Sequence, residues 1–371
     1  MRNNSAQVFV YFTGPGWELF KQYEFMSEIC TERMPVISQL GGSDAVLSSA
    51  LTGKTPVCHG QFSSWYFKRT SSLKDVSRKV MLLLSGLPSG YFGKIAAPIR
   101  SLRHLCPEKG VGSELKPHHF HPLKSIIDIV HENRVPHYIA KIHAGQLAQT
   151  FSTLRKRMQR RSVRFAFIQI DEMDPMLHLS PYDEHSILQR FKMFEKELKL
   201  THDTGVKAYN DFQLCVLSGH GITIAPDKID VRRKVDRLNL DFGHDYHAAY
   251  DPTMARFWFE NNQARSIIID RLRRIPHSHI LSDTEKSRYG VNFQENIFGE
   301  VILLLNPGYQ IYPNDALRQP LLGMHGYAPD DKHSLGACLS SAKINPQIKW
   351  VGNFFDIMTD AIAPAIVQDV V

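Results

Sequence analysis

Four short apolar runs have the length and the boundaries of buried β-strands. They are rich in Val, Ile, Leu and Phe, and each is followed by glycine, proline, acidic or other polar residues that favour a turn. The runs cover residues 8–12, 163–170, 214–217 and 301–305. They predict buried strands, with loops at their ends that are free to carry polar side chains.

The segments between these runs include helical patterns. One set of apolar residues recurs four, three and four residues apart, which places the set on one face of a helix with charged residues opposite. The set consists of Ile187, Phe191, Phe194 and Leu198. Another helix is predicted to begin at Trp17. Alternating strands and helices predict an α/β fold with a central, mostly parallel β-sheet sandwiched by helices.

One segment differs in character from the rest of the chain. Residues 61–145 mix Ser, Lys, Pro and Gly, and they include three histidines close together, which are His118, His119 and His121. We interpret 61–145 as a cap inserted into a core domain formed by residues 1–60 and 146–371. The histidine cluster has two interpretations, a solvated loop or a ligand or phosphate contact from the cap.

Composition narrows the class of protein. The chain has 371 residues, of which 43% are hydrophobic and 22% are charged, as expected for a folded protein with a sizeable core. No run approaches the roughly 20 apolar residues of a membrane helix, and the first residues lack the features of a signal peptide. The five cysteines are widely spaced and form no CxxC pair, which disfavours a disulfide scaffold and favours a reducing compartment. We therefore expect a cytoplasmic protein with no membrane partner.

The charge balance suits a small anionic substrate. The formal net charge is +7, and part of it comes from the basic run at residues 155–164. We interpret that run as a solvated helix end, so nucleic acid is not expected as a partner. The oligomeric state does not follow from the sequence.

Histidines and acids lie just beyond several predicted strands, where α/β proteins bind ligands. Asp174 and His178 are four residues apart, so one helical turn would bring a carboxylate and an imidazole to one face, and these groups are normal zinc ligands. His220 lies between glycines after a predicted strand, and His325 precedes a glycine. Each residue alone is more typical of a surface or structural position, but their combination indicates a metal site.

These residues stand in motifs that resemble the alkaline phosphatase superfamily, specifically its type I phosphodiesterase/nucleotide pyrophosphatase branch. A T-G-x-x-P-x-x-H-G element, a D-x-x-x-H element, an S-D-H-G element and a G-x-H-G-Y element follow one another in that family. Their counterparts here are residues 51–60 (LTGKTPVCHG), 174–178 (DPMLH), 218–221 (SGHG) and 323–327 (GMHGY). The resemblance spans nearly the whole chain apart from the predicted cap.

The resemblance implies an alkaline phosphatase-like fold and attack on phosphorus by a serine or threonine. The family's spacing places this nucleophile at Ser43, for which a helix N-cap is the alternative interpretation. The resemblance also implies Asp174, His178 and His325 as the ligands of one metal ion, and His220 is a further candidate ligand.

Two positions depart from the family pattern. Thr13 and Gly219 stand where the family has carboxylates that hold the second metal ion. We therefore expect one Zn²⁺ per chain, with Mn²⁺ or another divalent ion as the alternative. His220 is then a candidate base for Ser43 as well as a candidate ligand. Whether other residues replace the missing carboxylates stays open.

Together these features predict a metal-dependent hydrolase, or a group transferase, that acts on a phosphate ester with Ser43 as nucleophile. The expected substrate is a phosphodiester or a nucleotide-like small molecule. Three alternatives stay open, which are direct attack by water, a non-phosphate substrate, and an inactive family member that serves as a binding protein.

Overall fold

The strands of the central sheet come from both ends of the chain and from its middle. In order across the sheet they are β2 (Glu32–Val36), β16 (Gly336–Ser340), β7 (Asp211–Ser218), β1 (Ser5–Phe12), β6 (Phe165–Ile170) and β5 (His137–Ile142). Within this sheet β16 runs antiparallel to both of its neighbours, and the remaining pairs are parallel. The predicted central, mostly parallel sheet is therefore confirmed.

The structure is a computed structural model that describes residues 4–63, 65–68, 105–107, 114–143, 145–344 and 347–367. The helices of these residues are α1 (Trp17–Gln22), α2 (Ser43–Thr52), α3 (Pro56–His59), α4 (Ile126–Glu132), α5 (Leu147–Gln159), α6 (Met173–Leu179), α7 (Glu184–Ala208), α8 (Val231–Asp236), α9 (Asn262–Arg273), α10 (Asp283–Arg288) and α11 (Asn353–Val367). A short 3₁₀ helix covers Gln294–Asn296. Among the described residues, no helix combines the length and the apolar character that crossing a membrane requires.

Helices cover both faces of the central sheet, which explains why residues 8–12 of β1 are a continuous apolar run. Because successive side chains of a strand point to opposite faces, Val8, Val10 and Phe12 join one core while Phe9 and Tyr11 join the other. The first core is closed by α1, α5 and α7, and the second by α2, α4 and α11. The apolar face predicted for 187–198 lies on α7 and packs in the first core.

A second sheet accompanies the central one. Its order is β10 (Tyr246–Tyr250), β11 (Met254–Phe259), β13 (Val301–Leu305) and β12 (Ser278–Ile280), and all its pairs are antiparallel. The strand predicted at 301–305 therefore exists but lies outside the central sheet. The other strands of the described residues form three two-stranded pairs, which are β3 (Trp65–Phe67) with β4 (Leu105–Pro107), β8 (Thr223–Ile224) with β15 (Gly323–Met324), and β9 (Asp227–Ile229) with β14 (Tyr309–Ile311).

The predicted cap overlaps the core at its C-terminal end. Strand β5 pairs with β6 along its whole length, and apolar residues of α4 pack in the second core. Residues 126–142 therefore belong to the packing of the sheet rather than to a separate cap. Residues 64, 69–104, 108–113 and 144 lie outside the described residues, and the division into a core of 1–60 and 146–371 with an inserted segment otherwise stays a prediction.

Candidate active site

The five residues singled out by the sequence come together beside the carboxyl ends of β6 and β7. Asp174 and His178 lie on α6, which begins shortly after β6 ends, and His220 follows β7. His325 follows β15, and Ser43 is the first residue of α2. Segments from four distant parts of the chain thus supply one group of side chains.

Asp174 stands at the centre of the group. Its Oδ2 atom lies 3.5 Å from His178 Nε2, and its Oδ1 atom lies 4.0 Å from His325 Nε2. The ring centroid of His325 is 5.0 Å from that of His178 and 4.3 Å from that of His220. Asp174, His178 and His220 are buried, so their charges and lone pairs interact with little screening by water.

Backbone carbonyls determine which nitrogen of two of these rings carries the proton. His178 Nδ1 donates to the carbonyl of Gly323 at 2.7 Å, and His220 Nδ1 donates to the carbonyl of Gly221 at 3.1 Å. A carbonyl only accepts, so the neutral ring keeps its proton on Nδ1 and its lone pair on Nε2. Metal-binding histidines are oriented in the same manner by a carbonyl on the far nitrogen.

Three of the side chains fit a divalent metal ion. Asp174, His220 and His325 each offer one ligand atom, and these atoms lie within 4.8 Å of one another. Asp174 Oδ1 and His220 Nε2 are buried without a hydrogen-bond partner, a costly arrangement unless another group or ion binds them. A carboxylate combined with imidazoles is a normal set of zinc ligands. His178 is not one of these three residues and contacts the group through Asp174. The family resemblance had predicted His178, with Asp174 and His325, as a ligand.

The protonation states support the same interpretation. Burial raises the pKa of Asp174, but the nearby rings of His178, His325 and His220 outweigh that effect and hold it below its ordinary value. Burial lowers the pKa of His220, and burial together with repulsion from His220 places the pKa of His325 well below its usual range. For His178, burial acts to lower the pKa, but Asp174 and the Gly323 carbonyl raise it overall. The site therefore presents an ionised carboxylate beside two neutral imidazoles, the forms that bind a metal ion.

Ser43 begins α2 after a glycine turn. Gly41 has a φ of +136°, and a Cβ atom there would stand 2.6 Å from the Phe62 carbonyl oxygen, so the turn requires glycine. Gly42 is the N-cap and makes no side-chain cap hydrogen bond. Ser43 is thus the first helical residue rather than the N-cap. The first amides of a helix have no partner within the helix, and they form a ready site for an anion.

The Ser43 hydroxyl contacts His325. Ser43 Oγ lies 3.2 Å from His325 Nε2, within hydrogen-bond distance. The sequence favoured His220 as the partner of Ser43, but the structure brings His325 into that position. Ser43 therefore adjoins the metal-fitting group directly, through one of its three members.

Other groups occupy the places of the two missing carboxylates. The Thr13 hydroxyl donates to Asp171 Oδ1 at 2.7 Å, and Lys141 Nζ lies 2.7 Å from Asp171 Oδ2. A Cβ atom at position 219 would stand 2.1 Å from Tyr11 Oη, so there is no room for a side chain at Gly219. In the described part of the chain, no group of three ligands forms a second metal site.

Sequence reasoning overlooked three residues of this region. Tyr11 has the pattern of an ordinary strand interior, and Lys141 fell inside the predicted cap. Asp171 carried the one available signal, because it opens the acidic run directly after β6. Among the described residues, no group that fits a metal ion includes His118, His119 or His121. In that cluster His118 and His121 are exposed, and His119 contacts Gln61.

Comparisons with known proteins bear on the fold. No protein-family model matches the chain, and no curated protein matches it in sequence. Solved structures match along almost its whole length. Murine ectonucleotide pyrophosphatase/phosphodiesterase 5 aligns with a TM-score of 0.67 and 14% identity, over 95% of this chain and 94% of that one. The human protein gives 0.66 and 14%, over 96% and 94%.

A bacterial enzyme matches equally well. Phosphonoacetate hydrolase from Sinorhizobium meliloti 1021, in complex with phosphonoformate, aligns with a TM-score of 0.67 and 12% identity, over 97% of this chain and 96% of that one. Both kinds of protein have a mostly parallel sheet flanked by helices, as this chain does. The resemblance predicted from the motifs is confirmed at the level of the fold, and the chain has the alkaline phosphatase-like fold of these hydrolases.

Proposed function

We propose that this protein is a metal-dependent hydrolase of phosphate esters that uses Ser43 as its nucleophile. The observation that carries the proposal is the 3.2 Å contact between Ser43 Oγ and His325 Nε2, because it joins a hydroxyl to the metal-fitting group. The proposed substrate is a phosphodiester or a nucleotide-like small molecule. An inactive variant of the murine protein of similar fold is known in complex with AMP, which supports this choice.

Asp174, His220 and His325 would hold one zinc ion, or Mn²⁺ or another divalent ion, with His178 beside them. A bound divalent ion would supply Lewis acidity, which lowers the pKa of an adjacent hydroxyl and polarises phosphoryl oxygens. His220 Nε2 cannot be a ligand and a general base at once, and its place in the group of three favours the ligand role. One ion is proposed because Thr13 and Gly219 supply no carboxylates.

The chain's own groups orient and attack the phosphorus. The amides of the first turn of α2 bind the phosphoryl oxygens, since no side chain caps them. Ser43 Oγ forms a bond to phosphorus while the bond from phosphorus to the ester oxygen breaks on the opposite side. The serine proton passes to water, and the leaving ester oxygen takes up a proton from water and departs as an alcohol. Water then cleaves the phosphoserine and regenerates the hydroxyl. The buried cluster surrounds this reaction with groups already aligned, which is where electrostatic stabilisation is most effective.

Hydrolysis of model esters tests the proposal. Protein loaded with Zn²⁺ or Mn²⁺ is assayed with bis(p-nitrophenyl) phosphate and with p-nitrophenyl phosphate. We expect metal-dependent release of p-nitrophenol, which Asp174→Asn removes. Asp203→Asn, which changes an exposed carboxylate on α7, is the matched control and keeps the wild-type rate. No turnover of either ester by fully loaded, folded protein would contradict the proposal.

A binding protein without activity is the second candidate, and one observation favours it. At the two positions where the family resemblance expects carboxylates, Thr13 donates to Asp171, which also pairs with Lys141, and Tyr11 leaves no room for a side chain at Gly219. Metal binding and phosphate binding without any turnover would support this candidate. The cytoplasmic location and the absence of a nucleic-acid partner stay predictions.

A further inference from the structure

The hydroxyl of Tyr11 is buried at the candidate active site without a partner. Tyr11 is 1% exposed, and its Oη atom has no hydrogen-bond partner. Its ring is held in the second core, where it stacks on Phe167 with a centroid distance of 6.1 Å and an interplanar angle of 28°. A buried hydroxyl without a partner costs free energy, so a rigidly held one calls for an acceptor that the protein alone does not provide.

The position of Gly219 shows where this hydroxyl points. A Cβ atom at 219 would stand 2.1 Å from Tyr11 Oη and 2.6 Å from Val46 Cγ1, so both atoms border the same point, next to His220. Val46, His220 and His325 line a cavity of about 10 Å³, the volume of roughly one water molecule. Tyr11 Oη therefore lies next to Val46, one of the residues that line this cavity, and next to the residue that precedes His220.

Helix α2 connects the same cavity to the nucleophile. Val46 lies three residues after Ser43, which places both side chains on one face of α2. Ser43 Oγ is 3.2 Å from His325, another residue that lines the cavity. A phosphoryl group held at Ser43 would thus approach the Tyr11 hydroxyl across the first turn of the helix.

The hydroxyl has the character of a donor. Burial, followed by the carboxylates of Asp171, Asp44 and Asp174, raises the pKa of Tyr11 above its ordinary value. A phenol that keeps its proton in this surrounding is a poor metal ligand but a good donor to an anionic oxygen. The anionic oxygens of a phosphoryl group are suitable acceptors for such a donor.

We propose that Tyr11 donates a hydrogen bond to a non-bridging oxygen of the phosphoryl group bound at Ser43. This inference rests on the proposed function of the site and adds a residue to it. The absence of a side chain at 219 is part of the same arrangement, because only glycine leaves room for the hydroxyl.

Tyr11→Phe in the metal-loaded protein tests the inference, because it removes the hydroxyl and keeps the ring. The affinity for inorganic phosphate, measured by calorimetry, is expected to fall about tenfold or more, as for loss of a hydrogen bond to a charged group. Metal content should stay at the wild-type level, and the free energy of unfolding without phosphate should be equal to or higher than that of wild type, because the variant buries no unpartnered hydroxyl. Tyr250→Phe is the matched control, because Tyr250 is also buried with an unpartnered hydroxyl but belongs to the second sheet.

The outcomes separate the inference from the proposed function. If wild type binds phosphate and Tyr11→Phe binds it within twofold as tightly, the role of Tyr11 is overturned while the function stands. If the loaded wild-type protein neither binds phosphate nor cleaves either model ester, both are overturned. A tenfold loss in Tyr11→Phe together with unchanged binding by Tyr250→Phe supports the inference.

Discussion

The hydroxyl of Thr13 donates a 2.7 Å hydrogen bond to Asp171, across two neighbouring strands of the central sheet. Strands β1 and β6 run in register up to Phe12 and Ile170, so the next residue of each strand faces the other. Asp171 also accepts from Gln169 Nε2 at 2.8 Å and pairs with Lys141. The family resemblance assigns a metal-binding carboxylate to position 13. Thr13 instead offers a neutral hydroxyl, which donates to the carboxylate of Asp171.

This relationship predicts the effect of changing Thr13. Thr13→Val should lower the free energy of unfolding by about 1 kcal/mol, because one hydrogen bond to a still partnered carboxylate is lost. Thr13→Asp should cost more, because it places a second carboxylate beside Asp171. Urea unfolding measures both, with Thr153→Val as a near-neutral control, because the Thr153 hydroxyl donates to the Gln149 carbonyl one turn earlier on the outer side of α5. A Thr13→Asp protein that is stabilised and holds two metal ions would contradict this view.

Ser43→Ala should separate catalysis from stability. Gly42 is the N-cap, so removing the Ser43 hydroxyl should cost less than the roughly 1 kcal/mol of a lost cap. Turnover should fall about a thousandfold or more at unchanged metal content, as expected when a nucleophile is lost. Ser282→Ala is the complementary control, because it removes a capping box from α10 and should lower stability with no change in turnover. Full activity of Ser43→Ala would mean that water attacks phosphorus directly.

Metal content should follow the group of three ligands. We expect about one ion per chain by mass spectrometry of the dialysed protein, and we expect His220→Ala or His325→Ala to lose it. His178→Ala should retain the ion with affinity lowered roughly 10- to 100-fold, because His178 contacts Asp174 from outside the group. His244→Ala, a change of an exposed ring, is the control. Two ions in the wild-type protein would show that other residues supply ligands.

Asp44 should make the metal-free protein less stable as the pH rises. Burial, and then repulsion from Glu114 and other carboxylates, raises the pKa of Asp44 from 3.8 to about 7. The folded state therefore keeps this proton up to about pH 7, whereas the unfolded chain releases it near pH 4. Between these values the folded state binds more protons, so its free energy of unfolding falls as the pH increases.

Asp44→Asn tests that pH dependence. In chelator-treated protein, the wild type should lose about 2 kcal/mol more than Asp44→Asn between pH 5 and pH 8 in urea unfolding. Asp283→Asn, which changes an exposed carboxylate on α10, should follow the wild type. Equal pH profiles for wild type and Asp44→Asn would show that Asp44 ionises normally in the folded state.

The sequence by itself determined the elements whose cause is local. Apolar runs at 8–12, 163–170 and 214–217 predicted three strands of the central sheet, because strands covered on both faces carry apolar side chains at most positions. Helical spacing identified the buried face of α7. The order of the motifs indicated the fold. Each motif lies within a few consecutive residues, so the sequence alone identified Ser43 and the histidines as candidate site residues.

Only the tertiary structure decided how distant residues meet. It placed 301–305 in a second sheet and β5 in the central one, because strand pairing depends on partners far along the chain. It set His325 rather than His220 against Ser43, and it put the Tyr11 hydroxyl into the space that Gly219 leaves. No local pattern encodes such contacts, because they arise from close packing between distant segments. Where one position has no side chain, as at Gly219, a side chain from another segment can occupy the space.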